Sequence, residues 1–300
     1  MPARKTPAAV VLNAGSGTLS DNPDLVGRIS EELGFGQAID PVDPDAIEER
    51  LSELANDPPD GPIIVGGGDG TLSLAARTFD STEATLILLP LGTMNLFARA
   101  LCLPDDPVEA LKAALRGTVT NIDLAVIGDT VFLHHVSIGL HPETLTARKE
   151  RDYDSRLGKL TAGVQAVLEK TFSPPKLSVS LTIDDETLTR QVSSLGITNN
   201  PLAEGSLAAP HAVASGLLGV YVSESSSPVE LMRLVTDVFR GRYANSEQIE
   251  THRAERLKVA FDADRTVRAS IDGELEDVPH QFEVKKKPGA LRVMLPGEGD

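Results

Sequence analysis

Cysteine is nearly absent from this chain, since Cys102 is the only one among its 300 residues. A single cysteine cannot form an intramolecular disulfide, so a reducing compartment is consistent with the sequence. We expect Cys102 to be a small buried apolar residue, as free cysteines usually are. Basic residues are also scarce, with 28 Lys and Arg against 44 Asp and Glu, which gives a formal net charge of −16. That charge argues against sequence-independent binding to nucleic acid and against simple electrostatic attraction to anionic lipid.

Long apolar runs are missing as well. No apolar segment of signal-peptide length follows the short basic stretch of residues 1–7, so we expect no secretory signal. Residues 84–103 have the length of a membrane-spanning helix, but Pro90, Gly92 and Arg99 interrupt them. We therefore expect a cytoplasmic protein; if its substrate were a lipid, the protein would have to meet it at a membrane surface, as a peripheral protein of the inner face.

The first 125 residues alternate between strand-like and helix-like segments, and this alternation is typical of an α/β domain with a parallel sheet. Asn22 and Pro23 resemble an N-cap followed by proline at the first helical position. The predicted strands span residues 10–12, 35–39, 63–65 and 85–89, and the predicted helices span residues 23–33, 45–54, 72–77 and 106–116.

The remaining residues carry the period-two pattern of half-buried strands, which is clearest where apolar and polar residues alternate over residues 176–183. We predict a mainly-β sandwich for residues 126–300 and a Rossmann-like α/β domain for residues 1–125, with the alternative that the last strands return to the first domain. The predicted strands span residues 126–138 as a hairpin, 176–183, 188–198, 217–222, 257–261, 267–271, 281–284 and 291–295, and helices are predicted at residues 158–171 and 228–240.

Glycines follow the predicted strand at residues 63–65 directly, in the run Gly66-Gly67-Gly68-Asp69-Gly70-Thr71. A strand, a tight glycine turn and a helix present backbone N–H groups to a phosphate, and the helix N-terminus adds partial positive charge. An ordinary glycine-rich turn has the same appearance. A turn needs no carboxylate between its glycines, however, so Asp69 favours phosphate chemistry, although Asp69 could also cap the turn through its side chain.

Two further glycine turns follow strand-like runs, at residues 13–17 and residues 90–99. The carboxyl ends of parallel strands meet at one edge of a sheet, and open α/β sheets bind their ligands at that edge. The sequence therefore predicts that all three turns contribute to one ligand site.

These segments together resemble the diacylglycerol kinase catalytic-domain family, which includes bacterial soluble lipid kinases and sphingosine kinases. The family motifs are N-P-x-S-G, G-G-D-G-T, P-x-G-T-x-N-D-x-A-R and D-G-E. This chain has matching segments in the same order at residues 13–17, 67–71, 90–99 and 272–274. The resemblance spans nearly the whole chain and implies two domains with the active site in the cleft between them.

The resemblance also implies roles for single residues. It makes Glu274 the general base that takes the proton from the acceptor hydroxyl, and it gives Asp272 a part in organising the turn or a metal shell. Asp69 could engage Mg²⁺ directly or through water, because Mg²⁺ usually keeps waters and bridges phosphates. The implied contacts to ATP are Asn13, Ser16, Gly17, Gly66, Gly67, Gly68, Gly70, Thr71, Gly92, Thr93 and Asn95.

The chain departs from the family pattern in three places. Leu96 stands where an aspartate is common, Thr18 stands where a basic residue is common, and Ala214-Ser215 replaces two acids of a structural metal loop. We therefore expect the loop of residues 209–217 to hold no metal. We also expect His134 and His135 to be one structural and one exposed residue. We expect Lys285-Lys286-Lys287 to be a solvated turn, with contact to anionic headgroups as the alternative.

We thus predict an ATP- and Mg²⁺-dependent lipid kinase that acts on diacylglycerol or a related lipid. One alternative is NAD kinase, which shares the G-G-D-G-T turn, and another is a nucleotide-binding regulatory protein without turnover. Intact Asp69 and Glu274 argue against the regulatory alternative, because a protein that only binds has no need of a base. The oligomeric state stays open, with a homodimer as one option.

Overall fold

The structure is a computed structural model. It describes residues 7–34, 39–139, 176–202, 213–225, 230, 248–262 and 266–297. The chain divides into two compact units: residues 1–124 together with residues 287–300 form the first, and residues 125–286 form the second.

The first unit contains a parallel sheet. Ala9 lies opposite Ile63 in the β1–β2 pair, and Ile63 lies opposite Leu86 in the β2–β3 pair. Arg292 of β15 pairs in parallel with Thr85 of β3. The elements of this part of the chain are β1 (Ala9–Leu12), α1 (Gly17–Asp21), α2 (Leu25–Leu33), a 3₁₀ turn (Pro44–Ala46), α3 (Ile47–Asn56), β2 (Ile63–Gly67), α4 (Asp69–Thr78), β3 (Thr85–Pro90), α5 (Leu96–Ala100), α6 (Pro107–Arg116) and the first part of β4 (Thr118–Ile127).

Helix α6 shows how local sequence sets these elements. The carboxylate of Asp106 accepts hydrogen bonds from the backbone N–H groups of Val108 and Glu109, and Pro107 occupies the first turn. The Glu109 bond is the main cause that lowers the pKa of Asp106, and Val108 and Arg28 lower it further. The cap satisfies N–H groups that have no partner within the helix, while the apolar face of α6 is buried.

Two predictions for the first unit are wrong. Helix α2 begins at Leu25 rather than after Asn22, because Asn22 instead ends α1: its side-chain Nδ2 donates to the carbonyl of Thr18 at 3.2 Å. Cys102 is exposed rather than buried, since it follows α5 in a turn where its φ is +56°.

The second unit is a sandwich of two antiparallel sheets. One sheet has the order β15-β12-β7-β8 in this unit, and the other has the order β11-β10-β9-β6-β13-β14. The elements are the end of β4, β5 (Thr130–Phe132), β6 (His135–Gly139), β7 (Leu177–Ile183), β8 (Glu186–Val192), β9 (Ser194–Thr198), β10 (Leu218–Ser223), β11 (Glu250–Ala254), β12 (Arg256–Phe261), β13 (Val267–Ile271), β14 (Glu274–Val278) and the first part of β15 (Gln281–Leu295).

The core of the second unit is filled by alternate residues of both sheets, which is the reason for the period-two pattern. Val179 and Leu181 of β7 belong to one buried cluster with Leu195 and Ile197 of β9. Phe132 of β5 lies in the same cluster and is fully buried. Burial of these side chains is the main favourable contribution to folding here.

Four predictions for the second unit need correction. The predicted hairpin over residues 126–138 is formed by β4 and β5 alone, whereas β6 pairs with β9 and β13 in the other sheet. The predicted strand at residues 188–198 is two strands in different sheets, because Ser193 turns the chain and donates from its backbone N–H to the carbonyl of Ser223. Residues 281–295 form one continuous strand rather than two. Lys285-Lys286-Lys287 therefore lies in β15, not in a turn.

Some predicted elements lie outside the described residues: most of the strand at residues 35–39, the helix at residues 158–171, nearly all of the helix at residues 228–240 and the loop at residues 209–212. Among the helices that the structure describes, none combines the length and apolar character needed to span a bilayer.

Phe132→Ala should lower the free energy of unfolding by about 3–5 kcal/mol, because it leaves a cavity in the sandwich core. Phe282→Ala is the matched control, since Phe282 is only partly buried against the same cluster and should cost clearly less. Urea titration of both variants, followed by circular dichroism, measures the difference. Equal losses for the two variants would contradict this account of the core.

Candidate functional site

The first glycine turn is joined to helix α4 through Asn13. The side-chain Oδ1 of Asn13 accepts from the backbone N–H of Gly15 at 2.8 Å, and its Nδ2 donates to Oγ1 of Thr71, also at 2.8 Å. The backbone N–H of Asn13 donates to the carbonyl of Gly66. Asn13 therefore holds its own turn in shape and links it to the second glycine turn, as parallel pairing of β1 and β2 allows.

The second and third glycine turns approach one another at their backbones. A Cβ atom built on Gly92 would lie 2.6 Å from the Cα of Gly68, and one built on Gly67 would lie 2.3 Å from the Cβ of Thr71. Side chains cannot approach that closely, so these two positions require glycine. The contact brings the backbones after β2 and β3 together at the carboxyl edge of the sheet.

The third turn is closed by Asn95, whose φ of +48° places it in the left-handed region. Its Oδ1 accepts from the backbone N–H of Gly92 at 2.8 Å, and its Nδ2 donates to the carbonyl of Gly92 at 3.0 Å. Thr18 braces the turn from α1, because its backbone N–H donates to the carbonyl of Leu91 and its Oγ1 donates to that of Gly92. Thr93 is exposed at the tip.

Asp69 is the first residue of α4, and its Oδ1 accepts from the backbone N–H of Phe97 at 3.1 Å. The carboxylate thus binds an N–H group in the first turn of α5, which has no side-chain cap of its own. The alternative predicted for Asp69 was a cap of its own local turn, whereas its partner, Phe97, lies 28 residues away in the sequence. Leu96 begins α5, directly before this contact.

The residues around α4 fit a phosphate group. The Oγ of Ser16 is buried and has no hydrogen-bond partner within the described part of the chain. Gly68 is the N-cap of the ten-residue helix α4 and provides no side-chain cap, while Gly70 is exposed in its first turn. A phosphate oxygen can accept from such N–H and hydroxyl donors and is favoured by the helix dipole.

A protein-only metal cage is not found in this structure: the described residues contain no group of three or more His, Cys, Asp or Glu placed to hold a metal ion. Asp69 is the carboxylate within the glycine turns, and one of its oxygens already binds Phe97. This donor set fits Mg²⁺ that is bound mainly by phosphate oxygens and water, which is the usual manner for nucleotide-bound Mg²⁺.

In the second unit, Asp272 lies in the turn between β13 and β14 with a φ of +48°. Its Oδ2 accepts from the N–H of Leu133 at 2.8 Å, and its Oδ1 accepts from the N–H groups of His134 at 2.8 Å and His135 at 3.0 Å. Asp272 therefore anchors the β13–β14 turn to residues 133–135. Glu274 begins β14 two residues later and is exposed.

His134 and His135 do not divide into one structural and one exposed residue. Both side chains are half-buried, and their Nδ1 atoms lie 3.2 Å apart with the rings at 86°. The backbone N–H groups of both residues bind Asp272, which fixes the chain at the start of β6 where the two rings lie together.

Two polar residues that the structure buries were not identified from the sequence. Asp123 is 3% exposed in β4 and accepts from the backbone N–H of Gly289. Asn199 is 2% exposed and binds Lys286. A carboxylate within the apolar run of residues 122–127 was a usable signal for Asp123, whereas nothing local distinguished Asn199.

The second unit also has a polar cavity of about 840 Å³, whose lining includes Arg190, Glu224 and Glu250. The guanidinium of Arg190 donates to both carboxylate oxygens of Glu250, and this pairing is the main cause that lowers the pKa of Glu250. None of the site residues predicted from the sequence is among the residues that line it.

Comparison with family models assigns both parts of the chain. Residues 7–127 match the model described as the diacylglycerol kinase catalytic domain. Residues 136–295 match the model described as the YegS C-terminal NAD kinase beta sandwich-like domain. The two matches follow one another and agree with an α/β segment followed by a sandwich.

Similar proteins support the same assignment. The protein named "Probable lipid kinase YegS-like" in Pseudomonas aeruginosa (strain UCBPP-PA14) is 32% identical over 78% of this chain and 76% of its own length. The protein of that name in Chromohalobacter salexigens is 25% identical over 96% of this chain and 92% of its own length. A crystal structure from Bacillus anthracis str. Sterne has the same fold, with a TM-score of 0.77 at 18% identity over 98% of this chain and 97% of that chain.

Gly92→Ala should abolish measurable binding of ATP and lower stability, because its Cβ would meet the backbone of Gly68 at 2.6 Å. Gly27→Ala is the matched control, because Gly27 lies in α2, outside the three glycine turns. Apart from its chain neighbours and the backbone of its own helix, no atom of the described residues lies within 4 Å of a Cβ built on Gly27, and alanine favours the helix by up to about 1 kcal/mol. Calorimetric titration with ATP and thermal unfolding measure both effects. Tight ATP binding by Gly92→Ala would show that the contact between the turns is dispensable.

Proposed function

Because the chain belongs to the diacylglycerol kinase catalytic-domain family, we propose that it is an ATP-dependent lipid kinase. The proposed reaction transfers the γ-phosphate of ATP to a hydroxyl group of diacylglycerol or a related lipid. The observation that carries the proposal is the convergence of three glycine turns at the uncapped start of α4, together with the hydroxyl of Ser16 in the first of these turns, which is buried and unpartnered among the described residues.

In this proposal the first unit binds and orients the nucleotide phosphates. Backbone N–H groups of the Gly66–Thr71 turn donate to phosphate oxygens, and Ser16 donates from its hydroxyl. Asn13 and Asn95 act mainly by holding their turns, because their side chains already bind the backbone at Gly15 and Gly92. Positioning of this kind is the larger part of catalysis in phosphoryl transfer.

Asp69 is the residue proposed to face Mg²⁺, directly or through water. Bound Mg²⁺ supplies neutralisation of phosphate charge. The N–H of Phe97 fixes one oxygen of the Asp69 carboxylate, so the side chain is held in place before nucleotide binds. A carboxylate that is already oriented loses little conformational freedom on binding.

Glu274 is the proposed general base. Its side chain is exposed at the start of β14, so an acceptor hydroxyl can reach it. The acceptor O–H gives its proton to Glu274 while its oxygen forms the new bond to phosphorus, and the bond from phosphorus to the ADP oxygen breaks. Asp272 is bound by three backbone N–H groups and is therefore proposed to position the turn rather than to take the proton.

We further propose that the protein meets its lipid at a membrane surface through apolar contact, because its net charge of −16 opposes electrostatic attraction to anionic lipid. Flotation with neutral and anionic liposomes tests this contact. Binding that strictly requires anionic lipid would contradict it.

The activity is tested by incubating the protein with γ-labelled ATP, Mg²⁺ and a mixed lipid extract, followed by chromatography of the lipids. A labelled lipid supports the proposal and identifies the acceptor class, which defined diacylglycerol then narrows. Labelled NADP from added NAD, without labelled lipid, would favour NAD kinase. ATP binding with transfer to neither acceptor would favour a regulatory protein without turnover.

Glu274→Gln should lower kcat by about 10²–10⁴-fold, the usual contribution of a general base, and should leave ATP binding unchanged. Glu276→Gln is the matched control, because Glu276 lies on the same face of β14. It is about 7 Å further along the strand than Glu274, so its substitution should retain nearly full activity. Initial rates of lipid phosphorylation measure both. A similar loss in the two variants would exclude a specific role for Glu274.

Asp69→Asn should keep the fold, because the amide oxygen can still accept from Phe97, but it removes the charge proposed to face Mg²⁺. We expect a fall in kcat of about 10²-fold or more and a higher Mg²⁺ concentration for half-maximal rate. Thermal unfolding provides the control for fold. Unchanged Mg²⁺ dependence would remove Asp69 from the proposed metal contact.

A further inference from the structure

The segment Leu133–His135 is held from two sides. Its three backbone N–H groups donate to the carboxylate of Asp272. Two of its carbonyls accept from Asn199: the backbone N–H of Asn199 donates to the carbonyl of His134 at 2.9 Å, and Nδ2 of Asn199 donates to that of Leu133 at 3.1 Å. The third carbonyl, of His135, accepts from the backbone N–H of Asp272. The carboxylate of Asp272 therefore binds the N–H groups of this segment, and Asn199 binds two of its carbonyls.

Asn199 is in turn oriented by Lys286. The ammonium Nζ of Lys286 donates to the carbonyl of Asn199 at 2.6 Å, to Oδ1 of Asn199 at 2.8 Å and to Oδ1 of Asn200 at 3.2 Å. Lysine can only donate, so Oδ1 of Asn199 must face Nζ and its Nδ2 must face Leu133. Asn199 is 2% exposed and Asn200 is 8% exposed, so loss of the ammonium would leave buried acceptors without this donor.

These bonds form a continuous path from β15 to the start of β14. It runs from Lys286 to Asn199, then through residues 133–135 to Asp272, which lies two residues before Glu274. Every member belongs to the second unit. We propose that Lys286 and Asn199 are positioning residues that act through this path on the carboxylate of Glu274.

The proposal rests on the proposed function, because it assigns Glu274 the role of general base. Displacement of a reacting group by about 1 Å can cost about 100-fold in rate. Lys286→Ala should therefore lower kcat by about 10- to 100-fold, while the KM for ATP stays within about twofold, because the phosphate-binding turns belong to the first unit.

Lys285→Ala is the matched control. Lys285 is the preceding residue of the same strand, is exposed and pairs with Glu283 at the surface. Exposed ion pairs of this kind contribute little to stability. Its kcat should remain within about twofold of the wild-type value, so equal losses in the two variants would overturn the proposal.

Rescue separates a positioning role from general destabilisation. Lys286→Ala removes a propylammonium group from a half-buried position, so n-propylammonium chloride should restore kcat of this variant at least partly. Tetramethylammonium chloride at the same concentration has no N–H donor and should restore nothing. Restoration by both salts, or by neither in a folded variant, would contradict the assignment.

Lys286→Gln, which keeps a donor, replaces the alanine variant if that variant does not fold. Its kcat should fall by less than about tenfold.

Combination with Glu274→Asp gives a second readout. If Lys286 acts through Glu274, the double variant should be clearly more active than the product of the two single losses predicts. Independent, multiplicative losses would overturn the proposal.

Amide hydrogen exchange tests the hydrogen-bonded path independently of the proposed function, because it does not depend on lipid phosphorylation. Lys286→Ala should raise amide exchange at residues 133–135 relative to Lys285→Ala, and n-propylammonium should reverse that rise. If the wild-type protein phosphorylates no lipid, the proposed function fails, and with it the catalytic meaning of the path. Unchanged exchange in a protein that does phosphorylate lipid would overturn the path alone.

Discussion

Backbone N–H and C=O groups just beyond the end of a strand need hydrogen-bond partners outside the sheet. This requirement determines the conformation of each turn in the candidate site. Asn13, Asn95 and Asp69 meet it in the first unit by binding backbone groups of Gly15, Gly92 and Phe97. In the second unit Asp272 and Asn199 meet it for residues 133–135. The polar residues that matter for chemistry in the proposed function are thus also bound to the backbone, so their substitution affects geometry and chemistry together.

The sequence predicted the parts of the fold that repeat a local period. The strand predicted at residues 267–271 is observed with those bounds, and the strand predicted at residues 176–183 is observed as Leu177–Ile183, because alternation records burial on one face. It failed where a distant partner decides the outcome. Nothing near Lys286 shows that its ammonium binds Asn199, and nothing near Ser193 shows that the backbone of Ser223 turns the chain there. The predicted start of α2 after Asn22 was wrong because an asparagine can end one helix as readily as begin the next.

For the candidate site, glycine spacing predicted which turns gather, since parallel strands leave few other arrangements. The reason for each glycine was not visible from spacing alone. Gly92 is required by the backbone of Gly68, whereas a Cβ built on Gly70 would meet no atom of the described residues within 4 Å beyond its chain neighbours and the backbone of its own helix, and Gly70 is exposed. Roles implied by the family resemblance, above all those of Glu274 and Asp69, stay predictions until the activity is measured. The chain nevertheless belongs to a kinase family over both of its matched segments.

Strand β15 contributes neighbouring residues to different units: Lys286 belongs to the second, and Lys287 pairs with Asp80 in the first. During synthesis the ribosome therefore completes the whole second unit before it makes the residues that pair with β3. Residues 1–124 of the first unit are made first, but one edge of β3 stays unpaired until the end of β15 has been synthesised. An exposed strand edge can pair with another chain, so the nascent protein is most open to aggregation just before these residues emerge. An expression fragment that stops near residue 124 would keep that edge open permanently.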